Sequence, residues 1–587
     1  MWQSAHTLRW SAKRRLALLA SVLFITGGVT ARAKTPRPDA HQEAQAKRDA
    51  VSQTQAQTLK YGSAITREMA SVDVHIYELR LTAGQFAHVR VDQRGIDVVV
   101  RVYGPDGKQV AEVDGPSGMQ GPEPVYLVAE ADGSYRLEIH SLEAGAAPGS
   151  YEVSIKQLRV ATAKDRTWVA AQTTYAEGER ERVRGTKAGR EEAIKKFEQA
   201  RQLYVAAGDR TGEAAALHVM GSIYSSLGER QIALEYYSQA LPLRRAEGDR
   251  SGEAYTLTNI GRAYDSLGEV QKALEYQDLA LPLWRAIGDR IGEATTLHNM
   301  ATVYDELGEK QKALEYFNKA LPIYKAIGDR NGEAYTLTGI GVAYYSLGEK
   351  QRALEYYNQA LSIRRAIGDR SGEGDSLNNI GVVYASLLEM KKALEYYDQA
   401  LPIRKAVGDR RGEAYTLTNI GVVHYSLGEF KKALEYYGTA LPLRKAAGDR
   451  RGEASTLQSI GHVYVSLGEQ EKAAEYFGTA LQLRRAVGDR TGEAIALRSL
   501  ARLERDKRNL STARRLVSDA LPLVESIRSN VASQELRASF FATVRDQYEL
   551  YIDILMRSHQ LDPAAGYAAQ ALQISERARA RSLVELL

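Results

Sequence analysis

Four asparagines, Asn259, Asn299, Asn379 and Asn419, share one register of a 40-residue period, with Gly339 and Ser459 in the remaining places. An amide both donates and accepts hydrogen bonds, so a ladder of amides suits the main chain of an extended peptide. Four residues earlier, a second register reads Tyr255, Thr295, Tyr335, Asp375, Tyr415 and Ser455. Tyrosine offers apolar area with a polar end, which protein interfaces favour. Tyr255, Asn259, Asn299, Tyr335, Asn379, Tyr415 and Asn419 are therefore the candidate peptide-binding residues. The competing reading is that the asparagines only cap or bridge adjacent helices.

Other chemistry is hard to find. With 0 cysteines, the chain has no disulfide, thiolate metal site or cysteine nucleophile. The 10 histidines are scattered, and His218 and His298 share a register but stand two repeats apart, too far to share a metal. No phosphate-binding glycine loop, paired-carboxylate constellation or nucleophile elbow occurs, and Gly115–Gly121 reads as a plain loop. We expect no catalytic residue, no cofactor, no metal and no enzymatic activity. Arg244, Arg245, Arg285, Lys325, Arg364, Arg404 and Arg484 form a basic series near helix ends, where they favour the negative helix terminus. Glu253 and Glu275 recur as regularly, which argues against a phosphate-binding stripe. A net charge of +5 over 587 residues points to no nucleic-acid partner.

The elements that carry these registers follow from the period. Gly-Asp-Arg recurs at 208, 248, 288, 328, 368, 408, 448 and 488, and Gly-Glu follows each copy one residue on. Glycine accepts the left-handed conformation that ends a helix, and aspartate accepts the free amides that begin the next. The first helix then carries Ala254, Leu257, Ile260, Gly261 and Tyr264 on one stripe, and Gly268 closes it. The second carries Ala273, Leu274, Tyr276, Ala280 and Leu281, with small residues that allow close helix approach. Pro242, Pro282, Pro322, Pro402 and Pro442 fall inside second helices and are expected to bend them. Gln277 departs at the aromatic position and is expected to soften the local packing.

Glycine and tyrosine on the first helix, with alanine, aromatic and alanine on the second, resemble the tetratricopeptide repeat. Gly221, Tyr224, Ala233, Tyr237 and Ala240 are one such set, while Ala301 and His424 depart from it. The 40-residue unit resembles the long repeats of kinesin-light-chain and spindle-orientation adaptors. The resemblance implies a mainly α solenoid of about nine helical hairpins over 161–528, with first helices lining a concave peptide-binding face. It also implies a scaffold that binds a protein or peptide.

Before the array, Val74, Ile76, Phe86, Val89 and Val91 alternate with polar residues, and turns such as Gly104–Gly107 and Asp132-Gly133 punctuate the runs. A small antiparallel β-sandwich over 61–160 is expected. Leu81–Gln85, Gly104–Gly107, Gly133–Leu137 and Gly149–Val153 resemble the bacterial pre-peptidase C-terminal domain, a companion of secreted proteins. Asp97, Asp106 and Asp114 are conceivable calcium ligands, but turn-forming aspartate is the simpler reading. Arg9, Lys13, Arg14 and Arg15 precede an apolar run from Leu16 and an Ala31-Arg32-Ala33 cleavage pattern. Residues 1–33 are thus expected to be a signal peptide cut near Ala33, with a linker over 34–60, no stable membrane span afterwards and a secreted or periplasmic location. The final segment, 529–587, is expected to be a helical hairpin. Its Ser533–Phe540 and Ser575–Leu583 phrases resemble the hairpin that precedes a caspase-like CHAT domain. The alternative reading is therefore the regulatory half of such a peptidase, truncated before its catalytic part.

Overall fold

The computed structural model describes residues 56–70, 73–113, 120–141, 148–529 and 534–586. The expected leader and most of the linker lie outside them, as does Asp114. The described residues fall into two compact units, one ending at Leu283 and the other beginning at Trp284.

The first unit opens with two sheets. A five-stranded sheet has the order β1-β3-β8-β5-β6, with β1 Gln57–Thr58, β3 Val74–Leu81, β5 Val98–Tyr103, β6 Gln109–Val113 and β8 Gly133–Ser141. A four-stranded sheet has the order β2-β9-β4-β7, with β2 Ala64–Met69, β4 Gln85–Arg94, β7 Gln120–Val128 and β9 Gly149–Val160. Every pairing is antiparallel except the short β1 against β3. Alternation decides the core: Leu79, Val89, Val100, Leu127, Leu137 and Val153 from both sheets share one buried cluster. The tyrosines of the two Gly-Ser-Tyr phrases are internal fittings. Tyr135 Oη accepts the Glu130 amide at 3.0 Å and donates to the Ala131 carbonyl at 3.2 Å. Tyr151 Oη lies 2.7 Å from both Tyr77 Oη and His75 Nδ1. Asp106 accepts the Lys108 amide of its own turn at 3.1 Å.

Helical hairpins follow, nine in sequence: Ala163–Val183 with Lys187–Ala207, Arg210–Leu227 with Arg230–Ala246, Arg250–Ser266 with Val270–Ile287, Arg290–Glu306 with Lys310–Ile327, Arg330–Ser346 with Lys350–Ala366, Arg370–Ser386 with Met390–Ala406, Arg410–Ser426 with Phe430–Ala446, Arg450–Leu467 with Gln470–Ala486, and Arg490–Asp506 with Leu510–Ser529. Helices Gln534–Leu561 and Tyr567–Leu586 form a last pair. The fold is thus a mainly α hairpin array behind antiparallel-rich sheets. Each internal helix pair is joined by the chemistry of Gly-Asp-Arg. Gly328, for example, has φ 72°, and Asp329 Oδ1 accepts the Gly332 amide at 2.9 Å. In four repeats the arginine of the triplet, Arg290, Arg330, Arg370 or Arg450, pairs with the glutamate of Gly-Glu, as Arg330 bonds Glu333 Oε2 at 2.5 Å. The prolines leave the helices continuous for a further turn, as Pro402 does in Met390–Ala406.

Small residues mark close approaches. A Cβ at Gly421 would lie 2.5 Å from the ring of Tyr437, the second member of that repeat's tyrosine pair. The first member stacks on the tyrosine of the first helix, as Tyr384 on Tyr396 with centroids 5.4 Å apart. His424 takes the same place against Tyr436 at 5.3 Å, so this departure preserves the stack. Gln277 is 1% exposed; its Nε2 donates to the Thr258 carbonyl while its Oε1 has no partner.

Candidate functional site

The first helices carry the site, and a polar seam between consecutive first helices positions it. Threonine, or Ser376 in one repeat, is fully buried at 256, 296, 336, 376, 416 and 456. Thr256, Thr336, Thr416 and Thr456 each lie across from a residue 38 positions earlier in the previous first helix. In the unit ending at Leu283, His218 Nδ1 is 3.0 Å from Thr256 Oγ1. In the unit from Trp284, His298 Nδ1 is 3.2 Å from Thr336 Oγ1, and Thr416 Oγ1 donates to Asn378 Oδ1 at 3.2 Å. Thr418 and Thr456 hydroxyls are 3.4 Å apart. This seam register, His218, Thr258, His298, Thr338, Asn378, Thr418, Gln458 and Arg498, is polar at every repeat. Burial obliges these groups to find one another.

The asparagines next to the seam are drawn into it, which corrects the expectation of an open amide ladder. Asn419 is 4% exposed and donates through Nδ2 to Asn378 Oδ1 at 3.1 Å. Asn259 Nδ2 is 3.2 Å from His218 Nε2. Both bridge neighbouring first helices. Asn379 is only 8% exposed. Asn299 is half-buried, and its Nδ2 has no hydrogen-bond partner. Gly339, the gap in the register, has a packing cause. Ala301 replaces the small glycine of its repeat, and any Cβ at Gly339 would overlap the ring of Phe317.

The tyrosine register divides too. Tyr255, in the first unit, is 54% exposed and stacks obliquely on His218 at 4.9 Å. In the second unit Tyr335 is 42% exposed, with the Arg364 guanidinium 5.2 Å from its ring centroid. Tyr415 is half-buried under Arg444, and its Oη is buried without a hydrogen-bond partner. Burial pushes the Tyr415 phenol above its ordinary pKa, with Arg444 and Arg404 opposing.

The basic series also separates into two columns. Arg245, Arg285, Arg365 and Arg485 are exposed partners of the Gly-Glu glutamates, at 2.6 to 2.8 Å. One residue earlier, Arg244, Arg364, Arg404, Arg444 and Arg484 alternate with Tyr204, Trp284 and Tyr324 and lie against the next first helix. A Cβ at Gly412 would overlap Arg404, and one at Gly332 would overlap the Tyr324 ring. This is why the residue before each glutamate is glycine. Arg404 bonds Asp409 Oδ2 at 2.9 Å and Asp375 Oδ1 at 3.0 Å; Arg364 bonds the Gly372 carbonyl at 2.6 Å and Ser376 Oγ at 2.9 Å. These arginines sit beside the tyrosine register, a role that helix-dipole reasoning missed. The signal was present: the column exchanges arginine only for large aromatic residues.

In the second unit the first-helix columns and their arginine neighbours thus gather buried polar atoms without partners: Asn299 Nδ2, Asn378 Nδ2, Tyr415 Oη, Gln458 Oε1 and the Nε of Arg364, Arg404 and Arg444. Among the described residues no group of three or more His, Asp or Glu could hold a metal ion, and no helix is long and apolar enough to cross a membrane.

Family models described as tetratricopeptide repeat match residues 186–246, 252–326, 373–446, 415–486 and 334–365. Among solved structures, the STAND protein with a tetratricopeptide repeat sensor from Pyrococcus horikoshii is 19% identical, with 65% of this chain and 58% of that chain covered and a TM-score of 0.45. This chain thus spans less than two thirds of that protein. The apo quorum sensor NprR from B. thuringiensis is 19% identical over 54% of this chain and 88% of that one, TM-score 0.46. A variant of the kinesin light chain-like repeats of Podosopora anserina is 20% identical over 33% and 96%, TM-score 0.29. No curated protein sequence matches.

Proposed function

We propose, starting from the membership of residues 186–486 in the tetratricopeptide-repeat family, that this chain is a non-enzymatic scaffold that binds a peptide or an extended protein segment along its first helices. The observation that carries this reading is the tyrosine register of the second unit, where Tyr335 is 42% exposed with the Arg364 guanidinium over its ring and Tyr415 lies half-buried under Arg444. Tyrosine beside arginine offers apolar area with polar edges, which an extended main chain can meet at a regular spacing. The buried asparagines act as the frame of this surface, and the tyrosines and their arginine neighbours as its contacts. The location we propose is outside the cytoplasm, secreted or periplasmic. Its support is the basic and apolar character of residues 9–31 with Ala31-Arg32-Ala33.

Selection from a random peptide library displayed against the whole chain tests the reading. Enriched peptides are expected to bind with micromolar affinity and to lose about tenfold with Tyr415→Ala, which removes the ring beneath Arg444. Tyr335→Ala is expected to weaken them as well. Failure to enrich any peptide, or equal binding by both variants, would remove the first-helix surface from consideration.

A further inference from the structure

Near the end of the array one buried cation makes no hydrogen bond or ion pair among the described residues, with the carboxylate of Asp546 as a more distant counter-charge. Arg498 stands at the seam register of Arg490–Asp506 and is 4% exposed. It makes no hydrogen bond and no ion pair among the described residues, and its Nε is fully enclosed. The equivalent places in other repeats hold neutral groups that bond across the seam, such as Asn378 and Thr418. A buried, unpaired guanidinium destabilises the fold unless something compensates its charge.

Its surroundings add positive charge. Gln458 Nε2 donates to Ser499 Oγ at 2.8 Å, which fixes the register of Arg450–Leu467 beside Arg490–Asp506. Arg498 immediately precedes Ser499, and Arg502 follows one turn after Arg498. His462 lies one turn after Gln458, half-buried, its ring 5.0 Å from Phe477. Arg484 donates to the Gly492 carbonyl at the start of the same first helix. Asp546 faces this group, 3.5 Å from Arg502 and within electrostatic reach of Arg498. Burial, with Arg502 adding to it and Asp546 opposing, brings Arg498 down to about 10. Burial, together with Arg498, Arg502 and Arg484, brings His462 down to about 4. Three arginines therefore surround a neutral imidazole, and one of them, Arg498, makes no hydrogen bond or ion pair among the described residues.

We infer that Arg498, Arg502 and His462 form a pocket for an oxyanion of the phosphate class. The planar fork of arginine matches two phosphate oxygens at once, and an imidazole N–H supplies a third donor. Arg502, with a side chain 30% exposed, and the half-buried His462 give the anion its approach. The phosphate group has two sources, a free ion or a phosphorylated side chain of a bound peptide. The pocket stands apart from the peptide-binding reading, because inorganic phosphate alone tests it.

The test is calorimetric titration of the whole chain, in chloride buffer of matched ionic strength, with inorganic phosphate and separately with a phosphoserine hexapeptide. Binding of either probe, weakened about tenfold or more by Arg498→Met, is expected. Arg245→Met removes an exposed charge that pairs with Glu253 at 2.6 Å and is expected to leave binding unchanged. Free phosphate binding identifies the ion as sufficient; binding of the hexapeptide alone assigns the anion to a peptide. Arg498→Met is expected to melt no lower than the native chain without phosphate, since it deletes an unpaired charge. Should it fail to fold, Arg502→Gln serves for the same titration. If neither probe binds, or if the arginine variants bind as tightly as the native chain, the pocket is refuted.

Discussion

Leu388 sits where most other repeats have glycine, and its backbone is left-handed with φ 66°. A branched side chain in that region costs about 1–2 kcal/mol, and the side chain recovers little because it is 47% exposed. Leu388→Gly is expected to raise stability by about 1 kcal/mol, read from the urea midpoint. A lowered midpoint would mean that the leucine is held by contacts worth more than the strain. Gly339 shows the opposite case. It reads in the sequence as a variable surface position, yet Phe317 fills the space a side chain would take. Variation between repeats therefore has two sources, freedom to meet a partner and compensation for a neighbour's change. A single register cannot separate them; here Ala301, in the preceding repeat, is the other half of the pair.

At the scale of the helix, the junctions at Asp249, Asp409 and Asp449 are each held by one aspartate with two duties. Asp409 Oδ1 caps the helix by accepting the Gly412 amide at 2.8 Å, while Oδ2 accepts from Arg404 at 2.9 Å. Asp369 makes the same cap at 2.9 Å, but Arg364 hydrogen-bonds the Gly372 carbonyl and Ser376 and stands 3.8 Å from Asp369 Oδ2. Alanine at 369 is expected to cost about 1 kcal/mol, the worth of a cap. Alanine at 409 is expected to cost roughly 2–4 kcal/mol, because it also deprives a 5% exposed arginine of a carboxylate. Equal losses for the two, measured by urea denaturation of each variant, would show that Arg404 relies on Asp375 alone. The Gly-Asp-Arg wording announced these junctions plainly, since caps and helix stops are local chemistry. The arginine lying over the Gly-Glu glycine was not legible in the same way, because that contact joins residues eight apart across a turn.

At the scale of the whole molecule, the seam makes stability depend on acid. His462 binds its proton at about 4 in the folded chain, lowered by burial and by Arg498, Arg502 and Arg484, against an ordinary value of 6.5. Between those values the unfolded chain holds more protons than the folded one, so stability falls as pH falls from 6.5 to 4 and levels off below. The expected loss between pH 7.5 and pH 5 is about 2 kcal/mol from this residue. His218, lowered to about 3 by burial and Arg244, acts in the same direction in the first unit. Denaturation midpoints of the native chain and of His462→Gln across this window check the sign: the variant's profile is expected to be flatter. Because each hairpin contacts chiefly its neighbours, such a loss is expected to begin locally and spread along the array.

The sequence by itself determined the repeat, its hairpins, the caps between them and the alternating strands ahead of them. All of these are set by periodicity and by residues adjacent in the chain. It also marked the two registers from which the candidate site was drawn. Which members of those registers face outward was decided only by tertiary structure. Asn259 and Asn419 are consumed in bonds to residues 41 positions earlier, whereas Tyr335 stays 42% exposed. The buried arginine column and the unpaired Arg498 belong to the same class of facts. Whether a polar side chain meets a partner depends on what the next repeat places opposite it, and a period in the sequence specifies the neighbour's position but not the bond.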